Sequence, residues 1–151
     1  MSQSKVEKYV RELLNDEDFA AIDSAIKSFE KRTSGELVVS FQLVATGDPY
    51  KAGRRVFKRL KLHRTREHNA VLVVIFINSR KFAVLGDKGI DAKVPPGFWD
   101  DTVAAMAVHF KEGRFREGLV EGINLLGGQL TTYFPYREDD TDELSDEVRF
   151  G

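Results

Sequence analysis

The chain has 151 residues, 42% of them hydrophobic and 31% charged, with a net charge of −1. These values suit one soluble globular domain with a real core, and a sequence pI near 6.3 singles out no class of charged partner. The absence of cysteine excludes disulfides, thiolate zinc sites and cysteine nucleophiles together.

The start, Met1-Ser2-Gln3-Ser4-Lys5, leads into a charged segment with no apolar signal core, so a cytoplasmic location is expected. Val6, Tyr9, Val10, Leu13 and Leu14 recur at helical spacing and predict a short amphipathic helix. Asn15-Asp16-Glu17-Asp18 supplies a cap and acidic first-turn residues for a second helix. Phe19, Ile22, Ile26 and Phe29 stripe that helix. Thr33-Ser34-Gly35 ends it, with Gly35 suited to a left-handed position.

Leu37 to Val44 is strand-like. Gly47-Asp48-Pro49 marks a turn and a helix start, with Asp48 as cap and Pro49 in the first turn. Ala52, Val56, Phe57 and Leu60 form the apolar stripe of that helix. Ala70 to Ile77 is apolar throughout, the pattern of a central strand buried on both faces. Asn78-Ser79-Arg80 connects it to Lys81 to Leu85, a predicted antiparallel hairpin partner. Pro95-Pro96-Gly97 opens a helix striped by Trp99, Val103, Met106 and Phe110, which Gly113 ends. Phe115, Leu119, Ile123, Leu126 and Leu130 stripe the last helix, where Gly118 and Gly122 allow close approach. Glu138, Asp139, Asp140, Asp142, Glu143, Asp146 and Glu147 follow as an acidic tail, in which Leu144, Val148 and Phe150 suggest partial packing.

The element order predicts an α/β fold: a three-layer α/β/α sandwich, Rossmann-like, with a small mixed sheet and helices on both faces. The expected organisation is an N-terminal helical segment at 1–18, the α/β/α domain at 19–136 and the acidic tail at 137–151. The first two strands should be parallel through a right-handed crossover. That arrangement brings Glu36, Asn69, Asp87, Asp91 and Asp100 towards one edge of the sheet. Thr46, Asp48 and Asn78 fall at the opposite edge, where ligands usually bind in open parallel sheets; the chemical groups favour the first.

In order and spacing these pieces resemble the TPM domain family, named for a thylakoid lumen protein, a photosystem II repair protein and a nematode receptor modulator. The matching residues are Thr33-Ser34-Gly35-Glu36-Leu37, Asn69-Ala70-Val71-Leu72, Gly86-Asp87-Lys88-Gly89-Ile90, Phe98-Trp99-Asp100, Gly118-Leu119, Phe134-Pro135 and Asp142-Glu143-Leu144. The likeness runs from about Phe19 to Val148. It implies a Rossmann-like α/β/α sandwich, calcium binding by acidic residues at one sheet edge, and a weak acid phosphatase activity attributed to the family. Signal peptides and membrane anchors, common in the family, are not seen here, so the chain looks like the short soluble bacterial form.

Three surfaces then carry candidate chemistry. Calcium takes six to eight oxygen ligands from carboxylates, carbonyls and water. Glu36, Asp87, Asp91, Asp100 and Asp101 are the candidate metal ligands, with Asn69 and Trp99 as pocket residues. The spacing is not that of an EF-hand. The same acids also read as helix-start and turn residues. The basic segment Lys51, Arg54, Arg55, Lys58, Arg59 and Arg64 is a candidate anion-binding face. Without interleaved aromatics it reads equally as a solvated face, and nucleic acid is disfavoured. The acidic tail is the third, as a disordered segment, a dock for the basic helix or a source of metal ligands.

His63, His68 and His109 are not spaced as a catalytic or metal set, His68 reading as a loop histidine near the carboxylate edge. The leading expectation is a calcium-binding regulatory or interaction module with an unidentified protein partner. A weak metal-dependent acid phosphatase and an anion-binding adaptor are the alternatives. The sequence fixes neither the partner nor the oligomeric state.

Overall fold

The computed structural model describes residues 3–138 and 148–151; the expectations for Asp139, Asp140, Asp142, Glu143, Leu144, Asp146 and Glu147 lie outside them. Helix α1 spans Gln3–Leu13 and α2 Asp16–Arg32, followed by strand β1 at Glu36–Gln42 and helix α3 at Pro49–Arg59. A 3₁₀ turn at Leu62–Arg64 leads to β2 at Ala70–Phe76, β3 at Lys81–Gly86 and the single-turn helix α4 at Lys88–Asp91. Helices α5 (Asp100–Lys111) and α6 (Phe115–Leu130) and the short strand β4 (Val148–Phe150) complete the order. The elements divide into two compact units, one with α1, the sheet, α3 and α4, the other with α2, α5 and α6.

In the first unit the sheet is mixed, with strand order β3-β2-β1-β4. β1 and β2 are parallel, with Glu36 opposite Ala70 and Gln42 opposite Phe76. β3 returns antiparallel, pairing Val71 with Gly86 and Phe76 with Lys81. Every residue of β2 is buried, which is why its sequence is apolar without alternation. Asp48 caps α3 by accepting from the Tyr50 N–H at 3.0 Å, and Pro49 occupies the first turn. The apolar side of α3, Ala52 and Val56, joins Val38, Leu72, Val74 and Ala83 in one core. A Cβ at Gly53 would stand 2.6 Å from Leu85 Cδ1 and 3.2 Å from Val74 Cγ1, so α3 sits tight on β2 and β3. β4 pairs parallel with β1. Its Phe150 stacks on Phe41 at 5.7 Å between centroids, and the Arg11 guanidinium of α1 lies 6.0 Å from that ring.

In the second unit a capping box starts α2. Asn15 Oδ1 accepts from the Asp18 N–H, and Asp18 Oδ2 accepts from the Asn15 N–H, both at 2.9 Å. Ile22, Ala25, Ile26 and Phe29 are its buried stripe, and α2 and α5 both pack on α6. Gly118 and Gly122 are where α5 comes closest: a Cβ at either would stand 2.4 Å from α5, from Phe110 Cε1 and from Met106 Sδ respectively.

The end of α2 corrects the sequence reading. Gly35 takes no left-handed conformation; Thr33 caps the helix in an extended conformation, its N–H donating to Phe29 O at 3.2 Å. Thr33 bridges Pro135, and its hydroxyl donates to Phe134 O, so long-range pairing turns the chain there. Gly113, with φ of 75°, does end α5 in the left-handed region that glycine tolerates. No helix among the described residues is long and apolar enough to cross a membrane.

Candidate carboxylate edge of the sheet

The parallel register puts the start of β1, the start of β2 and the end of β3 at one edge. The Glu36 N–H donates to Asn69 O at 3.1 Å, and the Asp87 N–H donates to Ala70 O at 2.9 Å. Glu36 and Asp87 thus flank Ala70 from either side, at about 10 Å between Cα atoms for roughly 4.8 Å per strand spacing. Glu36 is buried at 6% exposure and Asn69 at 2%. The Asn69 N–H donates to Thr65 Oγ1 at 3.2 Å.

Asp87 is a helix cap. Its Oδ1 accepts from the Lys88 N–H at 2.8 Å, one of the donors a helix start leaves open. Its Oδ2 stands 3.3 Å from His68 Nδ1. His68 has φ of 50°, a left-handed conformation that costs a non-glycine residue about 1–2 kcal/mol. The Gly89 N–H donates to His68 O at 2.9 Å and helps to hold it there. A Cβ at Gly89 would stand 2.1 Å from Glu67 O and 2.5 Å from His68 O, so only glycine fits this turn. Asp91 ends the turn next to Asp87. Asp91 stays exposed to solvent as a residue; partial desolvation of its carboxyl first, and then the Asp87 charge, push it above its ordinary value.

Glu36, Asn69, Asp87 and Asp91 therefore belong to the edge that strand order predicts. Asp100 and Asp101 belong to the second unit, exposed in the first turn of α5, where acids favour the helix dipole. Asp100 also folds towards Gly97, whose φ is 74°; a Cβ there would stand 2.9 Å from Asp100 Oδ2. Trp99 is the residue before that helix and supplies no side-chain cap. Phe98 meets its ring edge-on at 4.8 Å between centroids.

The edge offers hard oxygen donors, the chemistry a calcium or magnesium ion requires. It does not offer a closed cage. Among the described residues, no three His, Asp or Glu side chains stand together as a group able to hold a metal ion. Sequence reasoning places His68 near this edge but misses that Gly89 and His68 set the turn. The only sign was the second glycine of Gly86-Asp87-Lys88-Gly89.

The basic segment lies on the first unit. Lys51, Arg54, Arg55, Lys58, Arg59 and Arg64 are all exposed, and Arg59 Nη2 donates to Gln42 Oε1 at 3.2 Å. The three histidines stand apart in role: His63 is exposed in the 3₁₀ turn, His68 faces Asp87, and His109 pairs with Glu121 in the second unit.

The TPM domain model matches residues 10–129. No curated protein sequence is matched significantly. Among solved structures, the BA42 protein of the psychrophilic bacterium Bizionia argentinensis is similar at 39% identity with a TM-score of 0.84, the alignment covering 91% of this chain and 95% of that one. The N-terminal domain of a P. gingivalis protein shares the fold at 16% identity and TM-score 0.67, over 83% of this chain and 82% of that one. The N-terminal domain of a Corynebacterium glutamicum protein does so at 11% identity and TM-score 0.60, over 91% and 81%. With four fifths of its length under the family model and an α/β fold built on a mixed four-stranded sheet, the chain belongs to the TPM domain family.

Proposed function

We propose that this TPM domain is a divalent-cation-responsive interaction module, and that the cation, calcium in the first instance, is held at the turn after β3 by Asp87 and Asp91. The observation that carries this reading is the placement of two carboxylates within one helical turn, the cap Asp87 and the solvent-exposed Asp91, whose like charges repel. A cation between them relieves that repulsion. With so few protein carboxylates the coordination shell is completed by backbone carbonyls and water, which sets affinity in the weak range of about 10⁻⁴–10⁻³ M. Glu36 lies on the other side of Ala70, outside the proposed coordination shell.

Binding would tighten the turn that joins the β3 end to α4 and so alter the edge a protein partner meets. Isothermal titration with calcium tests the reading: heat of binding in the native chain, lost in Asp87→Asn/Asp91→Asn with the fold retained, supports it. Equal binding by that variant removes the site from this edge. A weak metal-dependent acid phosphatase would use the same edge, and has less behind it, because the histidine there is engaged with Asp87. Phosphate-ester hydrolysis that depends on calcium or magnesium and disappears in the same variant would favour it.

A further inference from the structure

We infer that the outer face of α3 is an electrostatic docking surface for an anionic phospholipid bilayer. Lys51, Arg54, Arg55, Lys58 and Arg59 recur along α3 at spacings of three and four, so they form one stripe along the helix. Between Asp48 and Glu67 the chain holds no Asp or Glu, and Arg64 extends the positive charge beyond the helix. Among the described residues, Lys51, Arg54, Arg55 and Lys58 make no ion pair.

The opposite side of the helix is committed to the core. Ala52, Gly53 and Val56 are buried, and Gly53 leaves no room above Leu85 and Val74. The stripe is therefore a fixed ridge of charge that presents no apolar side for insertion. Its contact with a membrane is peripheral and purely electrostatic.

The composition of the ridge selects the partner. Single-stranded nucleic acid is bound through aromatic platforms, and none lies among the exposed residues of the stripe. Arg and Lys do read guanine edges in a duplex groove, so duplex DNA is the competing occupant that the test includes. A domain that follows a long polyanion is commonly basic as a whole, whereas this chain has a net charge of −1 and concentrates its cations on one face. A planar anionic surface meets only that face and needs only charge density from it.

Cosedimentation of the full chain with phosphatidylserine-containing vesicles, in chelator and at low salt, tests the inference. The expected result is binding that fails on pure phosphatidylcholine and falls steeply with salt. It should drop about a hundredfold in Arg54→Gln/Arg55→Gln/Lys58→Gln, on the order of fivefold per cation. These positions are exposed, and an unchanged amide spectrum of the variant shows that the fold is intact. Any of four results overturns the inference: no binding to anionic vesicles, equal binding to zwitterionic ones, unchanged binding by the triple variant, or tighter binding to duplex DNA than to vesicles.

Discussion

Gly89 lies so close beneath the carbonyl of Glu67 that a Cβ on it would stand 2.1 Å from that oxygen. The neighbour is backbone, held in turn by the left-handed conformation of His68, and has little freedom to withdraw. Gly89→Ala is therefore expected to destabilise the chain by about 1–3 kcal/mol, the usual cost of forcing atoms into a packed site. Urea unfolding should show a lower midpoint with an unchanged slope. A variant as stable as the native chain would mean that the turn after β3 adapts.

Asp91 gives a pH prediction whose sign follows from its environment. Its carboxyl is raised in the folded chain, by partial desolvation first and the Asp87 charge second. Folding therefore favours the protonated form, and this contribution is fully present below the ordinary carboxyl value of 3.8. It is lost as pH rises through the higher folded value. In chelator, Asp91→Asn should be more stable than the native chain at pH 7, and the difference should vanish on acidification below the ordinary value. Thermal melts across this range check it, and a variant less stable at neutral pH would show that ionised Asp91 is favoured by the fold.

Gly122 faces Met106 across the second unit, where a Cβ would stand 2.4 Å from Met106 Sδ and 2.7 Å from its Cγ. Met106 is flexible at its far end but fully buried. Gly122→Ala should cost about 1–3 kcal/mol. Shortening Met106 to Ala leaves a void and should cost about 2–5 kcal/mol alone. Because the new methyl enters that void, the double variant should lose less than the sum. Strict additivity in a double-mutant cycle would place the strain elsewhere.

Much of this architecture is legible in the residues. The uninterrupted apolar run of β2, the caps at Asn15 and Asp48 and the hairpin at Asn78-Ser79-Arg80 are local signals, and each forms as its chemistry predicts. The parallel pairing of β1 and β2 follows from the intervening helix and is enough to bring Glu36 and Asp87 to the two sides of Ala70. What escapes the sequence is decided by partners far along the chain. β4 is three residues long and exists through pairing with Val39 to Phe41. The turn at Thr33 is set by Phe134 and Pro135. At the candidate site the convergence of strands is readable, and so is a helix-start or turn role for Asp87, but its contact with His68 is not. The Lys88 N–H and His68 engage it, and both depend on the single turn that Gly89 permits.

The proposed cation site lies between Asp87 and Asp91. Backbone amide spectra recorded through a calcium titration to millimolar concentration test it most directly. The expected result is saturable shifts centred on residues 87–91, spreading to His68, Asn69 and Ala70 through the hydrogen bonds of the turn, and absent in Asp91→Asn. No shift at millimolar calcium, or shifts confined to α5 around Asp100 and Asp101, would contradict it.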